Sequence, residues 1–177
     1  MNKRLVRYLL IILVCFICDD LLKYYLPQSF LNKGITIIPY LGLIMFTLLN
    51  NTIDEDMRYP FALICGGFYS LIYGNSLLMY MLLFVVFAFV GRLYTKKSKF
   101  TYFEALLFVV LTIFTQEVVI YWLMWMTKVT KLFIVTYMLN RLLPTVIFNI
   151  VGYNLVYYIH DKLKIEGDNN VYFGKRS

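Results

Sequence analysis

Residues 59–94 carry a single charged side chain, Arg92, in 36 positions. As one helix rising ~1.5 Å per residue, this run would reach about 50 Å, far beyond a hydrocarbon layer of ~30 Å. Helices apolar on every side belong inside a large core or a membrane. The chain must break within the run, and Gly74-Asn75-Ser76 is the place where its residues allow it. Two apolar helices follow, over 59–73 and 77–94.

Comparable runs fill most of the remaining sequence. One covers 5–26 and is stopped by Pro27. Another covers 35–53, opened by Gly34 and with Pro39 in its first turns. A fifth covers 100–126. The last, 132–159, is long enough for a short interfacial piece ahead of the span proper. Charged clusters at 54–58 and 96–99 separate them. Hydrophobic residues make up 61% of the 177 positions and charged ones 15%, against about 25% charged in soluble domains. A soluble domain of this size could not hide so much apolar surface. The composition excludes a soluble enzyme, a disordered chain and a disulfide scaffold. The expected fold is all-α: one polytopic integral membrane domain of six transmembrane helices, with a cytoplasmic tail over 160–177.

Lys3, Arg4 and Arg7 precede an apolar stretch over 8–18, the charge order of a signal peptide. No small-x-small cleavage site follows, and bulky residues precede Cys15 and Cys18, so the expectation is an uncleaved first span. The Cys15-x-x-Cys18 pair lies in an apolar helical run without a second ligand pair. With Cys65, these cysteines read as small buried hydrophobes.

With the N-terminus in the cytoplasm, six spans place twelve basic residues inside: Lys3, Arg4, Arg7, Arg58, Arg92, Lys96, Lys97, Lys99, Lys162, Lys164, Lys175 and Arg176. Four lie outside (Lys23, Lys33, Lys128 and Lys131), and Arg141 stays within the membrane. This is a positive-inside distribution, and it accounts for the net charge of +7 without invoking nucleic acid. Tyr24-Tyr25, Tyr94, Tyr102-Phe103, Tyr121-Trp122, Trp125 and Tyr157-Tyr158 fall at the expected helix ends as interface anchors.

No chemical constellation emerges. His160 is the one histidine, and no phosphate-binding glycine loop, zinc-protease helix or nucleophile elbow is present. The residues imply no enzyme, no metal and no cofactor. Asp19-Asp20 could form the carboxylate pair of a membrane aspartyl peptidase. Lys23, four residues after Asp19 and three after Asp20, offers the simpler reading of an ion pair near the outer interface.

Intramembrane polar residues carry more information. A charge at mid-membrane costs about 2.5–3.5 kcal/mol on insertion scales, so it faces the bundle interior and finds a partner. Arg141, Thr145, Asn149 and Gly152 recur at i, i+4, i+8 and i+11, within a sector of about 80° on a helix, with Pro144 beside them. Gln116 and Glu117 lie in the fifth span, and Glu117 is the natural charge partner of Arg141. The pair either fixes helix register or contributes to binding a polar ligand or partner helix. In the third span Gly66, Ser70 and Gly74 have small-xxx-small spacing, with Gly67 adjacent, so another backbone can approach closely. That backbone belongs either to the bundle or to a partner's helix.

The segment Arg141-Leu142-Leu143-Pro144-Thr145-Val146-Ile147-Phe148-Asn149 resembles the C-terminal signature of the MreD family, bacterial rod shape-determining membrane proteins. Pro39 with residues 41–49 resembles that family's second span, and Gly67-Phe68-Tyr69-Ser70-Leu71-Ile72-Tyr73-Gly74-Asn75 its glycine-rich third span and turn. Length, six spans and basic cytoplasmic ends agree. Ser70 and Leu78 depart from the pattern, standing where many members have Asp and Gly. The resemblance implies a non-enzymatic scaffold of the cell-wall elongation (Rod) complex in the cell membrane. Its partners would be an MreC-like single-span protein, the actin-like MreB and peptidoglycan synthases. The family's helical arrangement is similar to that of the S components of energy-coupling-factor vitamin transporters, which makes a substrate-binding S component the alternative. Such components carry an Ala-x-x-x-Ala face on their first helix. The alanines here are Ala62, Ala88 and Ala105, none of them in the first span.

Overall fold

The computed structural model describes residues 3–27, 34–53, 55–73, 77–95 and 101–162. Among these, every regular element is a helix: α1 (Lys3–Tyr25), α2 (Leu41–Asn50), α3 (Glu55–Tyr73), α4 (Leu77–Thr95), α5 (Tyr102–Met126) and α6 (Ile134–Lys162). Residues Met138–Leu142 of α6 form a π-helical turn. By length and apolarity α5 and α6 could each cross a membrane, whereas α2 and the Leu77–Leu93 portion of α4 are apolar but shorter.

Five helices follow the apolar runs closely. The second does not: helix was expected over 35–53, but α2 begins only at Leu41 and residues 34–40 are non-helical. Pro39 explains the boundary, because its ring disfavours helical backbone at the residue before it. It also follows four β-branched residues, Ile35, Thr36, Ile37 and Ile38, which favour extended conformations.

Short as it is, α2 is the hub. All ten of its residues are buried, and it touches each of the other five helices. Phe46 stacks on Phe61 of α3, with ring centroids 5.8 Å apart, and tilts against Phe84 of α4 at 4.7 Å. Ile12 and Phe16 of α1 complete this layer of the core. The outward faces are apolar too: Leu10, Val14, Ile17 and Leu21 form an exposed stripe along α1, and Leu107, Leu111, Phe114 and Val118 one along α5.

The most extensive helix pairing is α3 against α4. Gly66 permits it, since a Cβ there would lie 2.7 Å from the Met81 Cα and 2.8 Å from the Tyr80 carbonyl oxygen. Neither is an atom that a rotamer change could move. At one end of the pair Arg92 donates to Glu55 across 3.3 Å, a largely exposed contact of little energetic weight.

The adjacent glycines provide an internal control. A Cβ on Gly67 would meet only the flexible end of Met81, at 3.8 Å. Gly66→Ala should therefore lower the melting temperature in detergent through separation of α3 from α4. Gly67→Ala should leave it unchanged or raise it slightly, because alanine is the better helix former by up to about 1 kcal/mol. Equal melting temperatures for the two variants would show that the close approach does not limit stability.

Candidate functional site

The polar residues of α1, α5 and α6 converge on the non-helical segment and the start of α2. The arrangement begins with Pro144. Lacking an N–H, it cannot bond the carbonyl of Asn140, four residues earlier. The helix widens there into the π-turn, with the Leu143 N–H reaching the Met138 carbonyl five residues back. The Asn140 carbonyl accepts from Thr36 N at 2.8 Å.

One and two turns further along α6, Thr145 and Asn149 continue the pairing. Ile38 N donates to Thr145 Oγ1 at 3.3 Å. Asn149 receives Tyr40 N on Oδ1 at 2.8 Å and donates Nδ2 to the Ile38 carbonyl at 2.8 Å. Its amide thus acts as the peptide group of a neighbouring strand would. A second bond from Nδ2 to the Thr145 carbonyl at 2.8 Å fixes its orientation. On the other side, Ile37 N donates to the Pro27 carbonyl at 3.2 Å.

The N-terminus of α2 is capped from another helix. Tyr40, its N-cap residue, offers no side-chain capping bond, and Asp19 of α1 takes that part. Its Oδ1 accepts from Leu41 N at 2.7 Å and its Oδ2 from Gly42 N at 2.8 Å. The carboxylate sits on the positive end of the helix dipole, where a negative charge is stabilised. Gly42 allows this approach, since a Cβ there would lie 2.1 Å from the Phe16 ring.

Below the cap lies a buried ion pair. Arg141 Nε donates to Glu117 Oε2 at 2.8 Å and its Nη2 to Oε1 at 3.4 Å. The same carboxylate accepts the Tyr40 hydroxyl at 2.5 Å and the Tyr137 hydroxyl at 2.6 Å. A fully buried carboxylate is tolerable only when paired and hydrogen-bonded in this way. Tyr40 ties the two clusters together: its backbone N–H goes to Asn149 and its side chain to Glu117.

Asp19, Glu117, Arg141, Pro144, Thr145 and Asn149 therefore act on one piece of chain. Three expectations are corrected. Asp19 is not held by Lys23, whose Nζ lies over the Tyr73 ring, 3.8 Å from its centroid. Asp20 is exposed while both oxygens of Asp19 serve backbone, so the two do not form a carboxylate pair. Gly66 and Ser70 are buried, and Gly66 lies against the α4 backbone, so this face is used within the bundle and is not open to a partner. Gly67 is half-buried, and Gly74 lies outside the described residues. Gln116 is fully buried, and neither atom of its amide has a hydrogen-bond partner among the described residues. Among those residues no group of three or more His, Cys, Asp or Glu could hold a metal ion, and Cys15, Cys18 and Cys65 are free thiols.

Tyr40, Tyr137 and Asn140 were not anticipated. The signal for Asn140 was available, since Pro144 stands four residues after it. The tyrosines gave none, because 16 tyrosines in an apolar chain all suit an interface equally well. No protein-family model, curated protein or solved structure matches the chain.

Glu117→Ala and Arg141→Ala should each cost about 3–5 kcal/mol, the penalty for leaving a buried charge unpaired. In denaturation experiments in detergent the double variant should cost clearly less than the sum of the two; strict additivity would show that the pair is not coupled. Gln116→Met, similar in volume, should instead raise stability, because an unpaired buried amide costs roughly 1–3 kcal/mol.

Proposed function

We propose that this chain is a multi-pass membrane protein and a non-enzymatic scaffold, MreD-like, of the cell-wall elongation complex. Its partner would be an MreC-like single-span protein, with MreB and peptidoglycan synthases in the same assembly. In this reading six segments cross the membrane with both termini in the cytoplasm, and α2 crosses together with the extended residues before it. A ten-residue helix is only about 15 Å long, and the strand-like stretch supplies the remaining depth. Non-helical backbone at that depth is tolerated where it is buried in protein and hydrogen-bonded. Thr36, Pro39 and Tyr40 are buried, Ile37 and Ile38 half-buried, and every N–H present from 36 to 40 has a partner.

One observation carries the reading. The distinctive last-helix motif over 141–149 and the residues flanking Pro39, at the start of the stretch that resembles the family's second span, lie about a hundred residues apart in sequence, yet they interlock through Thr145 and Asn149. The motif residues serve the bundle itself, which suits a scaffold whose task is to present a fixed surface. The apolar outer faces and the positive-inside distribution of basic residues support the membrane placement.

Topology and partner are separately testable. With the native cysteines removed, single cysteines at positions 97 and 128 should respond oppositely to an impermeant reagent in intact cells. Position 128 should label and position 97 should be protected; labelling at 97 would make the span count odd. Affinity purification after mild solubilisation should recover an MreC-like protein, and depletion of the chain should round rod-shaped cells. Recovery of a transporter's energising subunit and ATPases would replace this reading with that of an S component.

A further inference from the structure

The turn joining α5 to α6 combines an apolar rim with positive charge. Trp122, Trp125, Met126, Val129 and Phe133 are exposed there, as are Lys128 and Lys131. Residues 118–140 contain no acidic side chain, so the tip is purely cationic. It is also firmly built. Val129 N and Thr130 N both bond the Met124 carbonyl, at 3.0 and 3.2 Å. The Tyr121 hydroxyl reaches across to the Leu132 carbonyl at 3.0 Å, and its ring packs on Tyr137 with centroids 4.7 Å apart.

The backbone adds an independent observation. Lys128 closes α5 with φ of 57°, the one positive-φ residue other than glycine among the described residues. Helices commonly end on a left-handed residue, but glycine is the usual occupant because a Cβ is strained there. Here the chain sets a lysine in the strained position, at the tip of its two longest apolar helices. Strain of this kind points to a use for the side chain.

We propose that this tip is a binding surface for anionic phospholipid headgroups. Lys128 and Lys131 contact the phosphates, while Trp122, Trp125 and Phe133 seat the turn at the depth where aromatic side chains favour the interface. Each lysine held at an anionic surface contributes about fivefold in affinity. The proposal rests on the reading that α5 and α6 cross the bilayer.

The protein's only two tryptophans lie in this tip, so its tryptophan fluorescence reports on the tip alone. The full chain is placed in nanodiscs of phosphatidylcholine, with and without phosphatidylglycerol, some containing brominated acyl chains. Quenching by lipid brominated near the headgroup, and less by lipid brominated at the chain end, is expected. Phosphatidylglycerol should raise the melting temperature of the unaltered protein. The Lys128→Gly, Lys131→Gln variant should lose most of that rise, while in phosphatidylcholine alone its melting temperature should equal or exceed the parent's by about 2–4 °C as the strain is relieved. Interfacial quenching with no response to phosphatidylglycerol, or a response fully retained by the variant, overturns the headgroup site and leaves the membrane reading standing. Absence of quenching by any brominated lipid overturns both.

Discussion

Residues 36–42 lie inside an apolar bundle without the hydrogen bonds of a continuous helix, and the remaining architecture follows from how those bonds are met. A buried backbone group left unpaired costs as much as a lost hydrogen bond or more. Here the partners come from four places: the Asp19 carboxylate of α1, the Thr145 and Asn149 side chains of α6, the Asn140 carbonyl freed by Pro144, and the Pro27 carbonyl just after α1. Each partner also fixes where its own helix sits. The Asp19 cap sets the depth of α1 against α2, and the Asn149 amide sets the rotation of α6. The Glu117–Arg141 pair joins α5 to α6 and, through the Tyr40 hydroxyl, to the segment itself.

The polar content of the interior thus serves specificity more than stability. Apolar helices gain little from choosing one apolar neighbour over another, all the more if they lie in lipid as proposed, so register is decided by the few groups that cannot be left alone. A buried ion pair is weak evidence of net stabilisation, since desolvation offsets much of the attraction. Its value here is that no shifted packing of α5 on α6 would satisfy Glu117, Arg141, Tyr40 and Tyr137 together.

Much of this was legible in the sequence. Long apolar runs located five helices, because length and apolarity are properties of a segment by itself. The inward stripe on α6 and its pairing with Glu117 followed from helical spacing and the cost of an isolated charge. The second span was misjudged because its apolar composition is the same whether it is helical or extended, and Pro39 is compatible with a first helical turn. Asp19 was misjudged because the local option, Lys23 one turn away, hid a partner that only the fold brings near. Gly66 and Ser70 announced a close approach, but small residues do not say whether the approaching backbone belongs to the same chain.

The pairing of the extended segment with α6 has a consequence in time. The bonds joining Ile38 and Tyr40 to Thr145 and Asn149 span 107 to 111 residues of sequence. In the proposed membrane reading, at synthesis rates of about 5–20 residues per second, α2 and the residues before it would wait roughly 5–20 s before their partners exist. Throughout that interval their backbone would have to satisfy itself, which inside a lipid bilayer favours a helix over more of its length. On that reading the native form of residues 36–40 would be a late product, completed only once α6 has been made.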